Sequence, residues 1–259
     1  LKNVRIRMHC FYIEKGQIEE ETIRITGDDV NHIKNVLRMS LGENLILCDK
    51  EGLFYKVSIS VMDESEILAD VLEIKKADTE LPTKIYLFQG LPKKDKMELI
   101  IQKSVELGVT EVIPVATKFC VAKIEDKKKE KKKLERWQSI SEAAAKQSGR
   151  GIIPKIQGVM DFKEAINLAK KMENGIIPYE GSQGMKTSGE AIKKMAEGKT
   201  AAVFIGPEGG FSEEEIAYAL EAGIVPITLG KRILRTETAG ITALSLLMFE
   251  MERRYEEKG

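Results

Sequence analysis

The chain has 259 residues, 42% of them hydrophobic, enough for two domains with real cores. Its 41 basic and 41 acidic residues cancel to zero formal charge, unlike the strongly basic balance of many nucleic-acid binders. No apolar stretch approaches the ~20 residues that span a bilayer. The three scattered cysteines and two histidines argue against a disulfide framework and against a metal site.

The first 77 residues read as β-rich. Short apolar or alternating segments recur at Arg7 to Ile13, Glu21 to Ile25, Asn44 to Cys48, Leu53 to Val61 and Glu66 to Ile74. Turn signals such as Gly27-Asp28-Asp29 and Lys50-Glu51-Gly52 separate them. Strands at this spacing predict a small barrel. One helix is expected within it, Asp28 to Arg38, N-capped by Asp28 or Asp29. Tyr12, Phe54 and Tyr55 are expected in the barrel core.

After Asp78 to Pro82 the pattern becomes strand–helix alternation. Strands are expected at Ile85 to Phe88, Val112 to Val115, Asn174 to Tyr179, Ala201 to Ile205 and Val225 to Leu229. Helices are expected at Lys94 to Leu107, at Leu134 to Ser148, after Ser212, and at Ile241 to Met251. Such alternation predicts an α/β domain with a mainly parallel sheet, here residues 78–259 after a barrel of residues 1–77. Between Lys123 and Lys133, seven lysines face three acids. That run reads either as a solvated connector or as a phosphate-contacting segment.

Two loops carry the most chemical information. Ile205-Gly206-Pro207-Glu208-Gly209-Gly210-Phe211-Ser212 and Leu229-Gly230-Lys231-Arg232-Ile233-Leu234-Arg235-Thr236-Glu237-Thr238-Ala239-Gly240 each follow an apolar run and lead into a helix. Both therefore lie at the C-terminal ends of parallel strands, the edge where open α/β sheets bind ligands. Neither has the Gly-x-Gly-x-x-Gly or Gly-Lys-Ser/Thr pattern of a phosphate cradle. Glu213-Glu214-Glu215 would repel an anion at the start of the following helix. A neutral or cationic ligand held by backbone groups fits better.

Together these loops resemble the SPOUT superfamily of methyltransferases, and within it the RsmE family that methylates uridine N3 in small-subunit ribosomal RNA. Lys96-Met97-Glu98 with Gln102 to Val109, Arg136-Trp137-Gln138, and Ala144 with Lys146 to Arg150 extend the match. So do Asn31-His32-Ile33 and Val36 to Met39, so that it covers essentially the whole chain. The resemblance implies a C-terminal trefoil-knotted domain, an N-terminal PUA-like RNA-binding barrel, and S-adenosyl-L-methionine (SAM) as cofactor. It implies that Gly206, Glu208, Gly210, Leu229, Gly230, Ile233, Leu234, Thr236 and Ala239 line the SAM pocket, with Tyr179-Glu180 as a third wall. It implies a cytoplasmic homodimer, with no membrane, acting on small-subunit (16S) ribosomal RNA or on the assembled subunit. Arg24, Lys34, Arg38, Lys50, Lys118 and Arg150 become RNA-contact candidates. The family often has Arg-Ser where this chain has Lys118-Phe119. Lysine keeps the charge and loses the bidentate fork.

Uridine N3 is a poor nucleophile until its proton leaves. Arg235 is the candidate for stabilising the developing negative charge on the base. Glu237 is the nearest candidate base, or else a partner that orients Arg235 or Arg232. Competing readings are a SPOUT enzyme for a transfer RNA or a ribose 2′-hydroxyl, a non-catalytic ribosome-assembly protein, and an unrelated nucleotide-binding α/β protein.

Overall fold

A computed structural model describes residues 10–121, 126–179 and 184–257. The chain divides into two compact units, Leu1–Glu80 with Ala145–Ile153, and Leu81–Ala144 with Pro154–Gly259. Of the expected features, Arg7 to His9, Lys123 and Glu180 lie outside the described residues.

The first unit is built on six strands: β1 (Cys10–Tyr12), β2 (Ile18–Glu19), β3 (Thr22–Thr26), β4 (Asn44–Cys48), β5 (Leu53–Met62) and β6 (Glu66–Lys76). Their hydrogen-bonded order is β1-β4-β5-β6-β3-β2, and only β1–β4 is parallel. No pairing among the described residues closes this ladder into the expected barrel. Alternation decides which side chains point inward. Ile23, Ile25, Leu45, Leu47, Tyr55, Val57, Ile59, Ile67 and Ala69 share one core with Phe11, Ile13, Val30 and Ile33.

The helix of this unit departs from expectation. Gly27 precedes it, and no side chain caps it. One α-turn, α1 (Asp28–Asn31), widens into a π-turn over His32–Val36. Arg38, at φ +54°, is in the left-handed region just beyond it. The returning segment Ala145–Ile153 belongs to this unit through short-range chemistry. The Tyr12 hydroxyl donates to the Arg150 carbonyl at 2.7 Å, and Glu51 bridges Ile152.

The second unit has one all-parallel sheet: β7 (Lys84–Gly90), β8 (Glu111–Ala116), β9 (Lys155–Ile156), β10 (Met160–Asp161), β11 (Asn174–Pro178), β12 (Thr200–Ile205) and β13 (Val225–Ile227). The order is β10-β8-β7-β12-β11-β13, with β9 also on β8. Five helices are α2 (Lys96–Glu106), α3 (Lys127–Ser148), α4 (Phe162–Ala169), α5 (Met185–Glu197) and α6 (Glu213–Glu221); a sixth, α7 (Thr236–Glu256), ends the unit. Phe88 and Phe204 stack at 4.4 Å in register on the face covered by α4 and α6. Leu87, Gln89, Val203 and Ile205 alternate to the other face, where Gly240 of α7 meets Gln89 and Ile205. Helices on both faces bury the strands fully, which explains their unbroken apolar runs.

Candidate active site

The chain leaves β7 toward β8 on one side, and later returns to place β12 and β11 on the other. The strand order therefore reverses between β7 and β12, the position in open α/β sheets whose C-terminal edge binds ligands. Here the backbone approach is very close. A Cβ on Gly90 would lie 2.5 Å from Pro207 Cδ and 2.7 Å from its backbone nitrogen. Only glycine allows the loop after β12 to rest on the end of β7.

That loop is held from several sides. The Lys93 amide donates to Glu208 at 3.2 Å, and Lys96 Nζ lies 3.0 Å from the same carboxylate. Lys96 also lies 3.2 Å from Glu237 Oε2 in the first turn of α7. One half-buried ammonium thus ties α2, the Gly-rich loop and α7 together. Partial burial pushes the Glu208 carboxyl up. Its own backbone amide, Lys96 and the Lys93 amide outweigh that and hold it below the ordinary carboxylate value. Hydrogen bonds to Glu208 and then Glu237 raise the Lys96 ammonium above its ordinary value.

Behind this network lies a buried polar relay. Thr236 Oγ1 donates to the Gly206 carbonyl at 2.6 Å and accepts from Gln89 Nε2 at 2.9 Å. Gln89 is fully buried and also donates to the Gly90 carbonyl. The relay joins the ends of β7 and β12 to the start of α7, and each buried donor has a partner.

The loop after β13 is more open. Thr228 Oγ1 hydrogen-bonds with both the amide and the carbonyl of Gly230, and the Thr228 amide donates to Ser188 Oγ at 2.9 Å. Gly230 has φ +116°, which favours glycine, and open space surrounds its Cα. Lys231, Arg232, Ile233 and Arg235 are exposed, Ile233 at 89%. Leu229 and Leu234 are half-buried. Tyr179, at the end of β11, is half-buried and its amide donates to the Ile227 carbonyl at 2.9 Å. The structure therefore gathers Tyr179, Gly206, Glu208, Gly210, Leu229, Gly230, Ile233, Leu234, Thr236 and Ala239 along adjacent strand ends and the start of α7.

A family model for an RNA methyltransferase domain matches residues 79–248, and one for an RNA methyltransferase PUA domain matches residues 25–72. The chain belongs to the RNA methyltransferase family. It is 39% identical to ribosomal RNA small subunit methyltransferase E of Bacillus subtilis, over 95% of this chain and 98% of that protein. The structure of the corresponding Neisseria gonorrhoeae enzyme bound to S-adenosyl methionine is 32% identical, with a TM-score of 0.76. The match covers 93% of this chain and 97% of that one. A Legionella pneumophila protein in complex with bound SAM is 33% identical, with a TM-score of 0.78, over 94% and 98% of the two chains. Among the described residues of this RNA methyltransferase, no helix is long and apolar enough to cross a membrane.

Several expected roles change against the geometry. Glu237 pairs with Lys96, not with Arg232 or Arg235, because the start of α7 faces α2. Arg235 precedes the first turn of α7 with an exposed guanidinium and no ion pair among the described residues. Arg150 is 4% exposed and paired with Glu80, so its guanidinium is not a surface phosphate contact. Arg24 is bracketed by Glu19 and Glu66. Lys118 pairs with Glu214 while its amide donates to Glu215. Lys50 pairs with Glu14. Lys34 reaches the Asp63 carbonyl at 3.4 Å, and Arg38 is exposed. Lys96 and Gln89 are the site residues that sequence reasoning missed as functional groups. The signal for Lys96 was a cation directly after a strand-end loop.

Proposed function

We propose that this chain transfers a methyl group from SAM to N3 of a uridine in small-subunit (16S) ribosomal RNA. The observation that carries this reading is the pair of glycine loops at the strand ends on either side of β11, with a free, exposed Arg235. The donor set suits SAM. Gly206, Gly210 and Gly230 leave backbone groups approachable, Leu229, Ile233, Leu234 and Tyr179 offer apolar surface, and Thr236 and Ala239 close the start of α7.

SAM when bound supplies an electrophilic methyl on a sulfonium. The N3 proton passes to solvent water as the N3–methyl bond forms and the sulfonium S–CH3 bond breaks, and Arg235 stabilises the negative charge on the uracil oxygens, since its donors are not engaged elsewhere. Glu237 is an orienting carboxylate here. Its position in the first turn of α7 is favoured by the helix dipole, and its charge is matched by Lys96. The Gln89–Thr236–Gly206 relay holds the two loops in register, so that reactants meet in one geometry.

The same proposal assigns residues 1–77 to RNA binding and 78–259 to catalysis. It includes a trefoil knot, supported by a chain that leaves β12, passes outside β11 as β13, and returns as α7 against β12 and α2. It includes a homodimer, supported by Leu246 and Phe249, which α7 leaves 46% and 65% exposed. On this reading the protein works in the cytoplasm.

The test incubates purified protein, SAM and small-subunit ribosomal RNA, and identifies the methylated nucleoside by mass spectrometry. N3-methyluridine is expected. A different methylated nucleoside moves the target, and absence of transfer to either naked RNA or assembled subunits overturns the reading.

A further inference from the structure

The first two turns of α3 concentrate positive charge in a way the fold does not require. Lys127, Lys128, Lys129, Lys131, Lys132 and Lys133 are all exposed. At about 100° per residue they cover an arc of roughly 240°. The remaining side carries Glu130, Leu134, Trp137 and Ser141. Glu130 turns inward to accept from the Val159 amide at 3.2 Å, Trp137 is buried, and Ser141 donates to the Pro154 carbonyl. Every outward direction from this end of the helix therefore presents a lysine, apart from Glu135.

Little nearby compensates that charge. Among the described residues, Lys131 with Glu135 at 3.9 Å is the one ion pair these lysines make. Asp126 accepts from the Lys128 amide at 2.8 Å. Three pairs of lysines sit four residues apart, where like charges repel. Cations at the start of a helix also oppose its dipole. The arrangement lowers helix stability, and the chain as a whole has no excess of positive charge.

We propose that the lysine-covered start of α3 is a phosphate-binding surface for the RNA substrate. It engages the sugar–phosphate backbone without reading sequence. The inference rests on the RNA-methylation reading for the identity of the polyanion. It adds a contact surface in the second unit to the one expected in the first.

The test compares wild type with the combined variant Lys128→Gln, Lys129→Gln, Lys132→Gln and Lys133→Gln, which neutralises one continuous side. Affinity for a transcript of small-subunit ribosomal RNA is measured across salt concentrations. At roughly 0.7 per lost phosphate contact, the slope of log K against log salt falls by about three. KM for RNA rises, kcat at saturating RNA holds, SAM affinity by calorimetry is unchanged, and thermal stability does not drop. An unchanged slope and KM overturn the proposal. Lost binding to phosphatidylserine vesicles with RNA binding intact also overturns it, by assigning the surface to a membrane. The binding slope needs no turnover. If wild type transfers no methyl group, the functional reading fails while the slope still decides this surface.

Discussion

The two loops of the proposed site are built on opposite terms. The loop after β12 is set before any ligand arrives: Pro207 rests on Gly90, Glu208 is held by Lys93 and Lys96, and Thr236 holds the Gly206 carbonyl. Among the described residues, the loop after β13 is tied near its start through Thr228 and at its end through Thr236, and between them it exposes Lys231, Arg232, Ile233 and Arg235. One wall is preorganised and contributes a fixed geometry. The other leaves its side chains exposed to solvent, where a ligand can meet them.

The sharpest way to break this contrast is Arg235→Ala. A free guanidinium acting on developing charge predicts a kcat loss of about 10²–10³ with SAM affinity unchanged, read by single-turnover and calorimetric measurements. Unchanged turnover would return Arg235 to the solvent. Gly90→Ala should damage the fixed wall instead. Its Cβ meets the Pro207 backbone, so a destabilisation of about 1–3 kcal/mol is expected, visible as a lower thermal midpoint. A variant as stable as wild type would show that the loop after β12 yields easily. Ile233→Ala should do the reverse. Stability stays within about 0.5 kcal/mol, since the side chain is exposed. Ligand affinity falls about tenfold if binding buries the lost methylenes.

The smallest effect is on pH. Glu208 titrates below its ordinary value of 4.5 in the folded protein. Its stabilising contribution is therefore full above that value and lost as pH falls through the lower folded pKa. Lys96 is raised above 10.5, so its contribution is full below that value and lost as pH rises through the higher folded pKa. The pair's contribution to thermal stability should be flat between about pH 5 and 10, and decline only at the acid and alkaline extremes. A step near neutrality would point to another group.

The strands of the second sheet were legible because burial on both faces produces unbroken apolar runs, as in Ala201 to Ile205. The glycine loops were legible because their spacing follows those runs. Two helices escaped. α4 follows β10 with almost no connecting loop, although Asp161 and Glu164 form a capping box that marks its start. α5 buries only Ser188, Ala191, Ile192 and Met195, a face too small and polar to stand out. α1 was legible as a helix, but its uncapped start at Gly27 and its π-turn were not. Partners of charged side chains were the least readable. Lys96 finds Glu208 and Glu237, and Gln89 finds Thr236, across more than a hundred residues of chain. Nothing local distinguishes an arginine that ends buried against a carboxylate, like Arg150, from one left free, like Arg235.

The return of Ala145–Ile153 to the first unit affects how the protein is made. The N-terminal strands leave the ribosome early. Yet Tyr12, Cys48 and Glu80 wait for Arg150 and Gly151, which follow only after β7, α2 and β8 have been synthesised. The first unit to emerge is thus completed only after part of the second has been made. A chain stopped after Glu80 would lack a piece of its own domain, and during translation the early sheet would depend on a segment still to come.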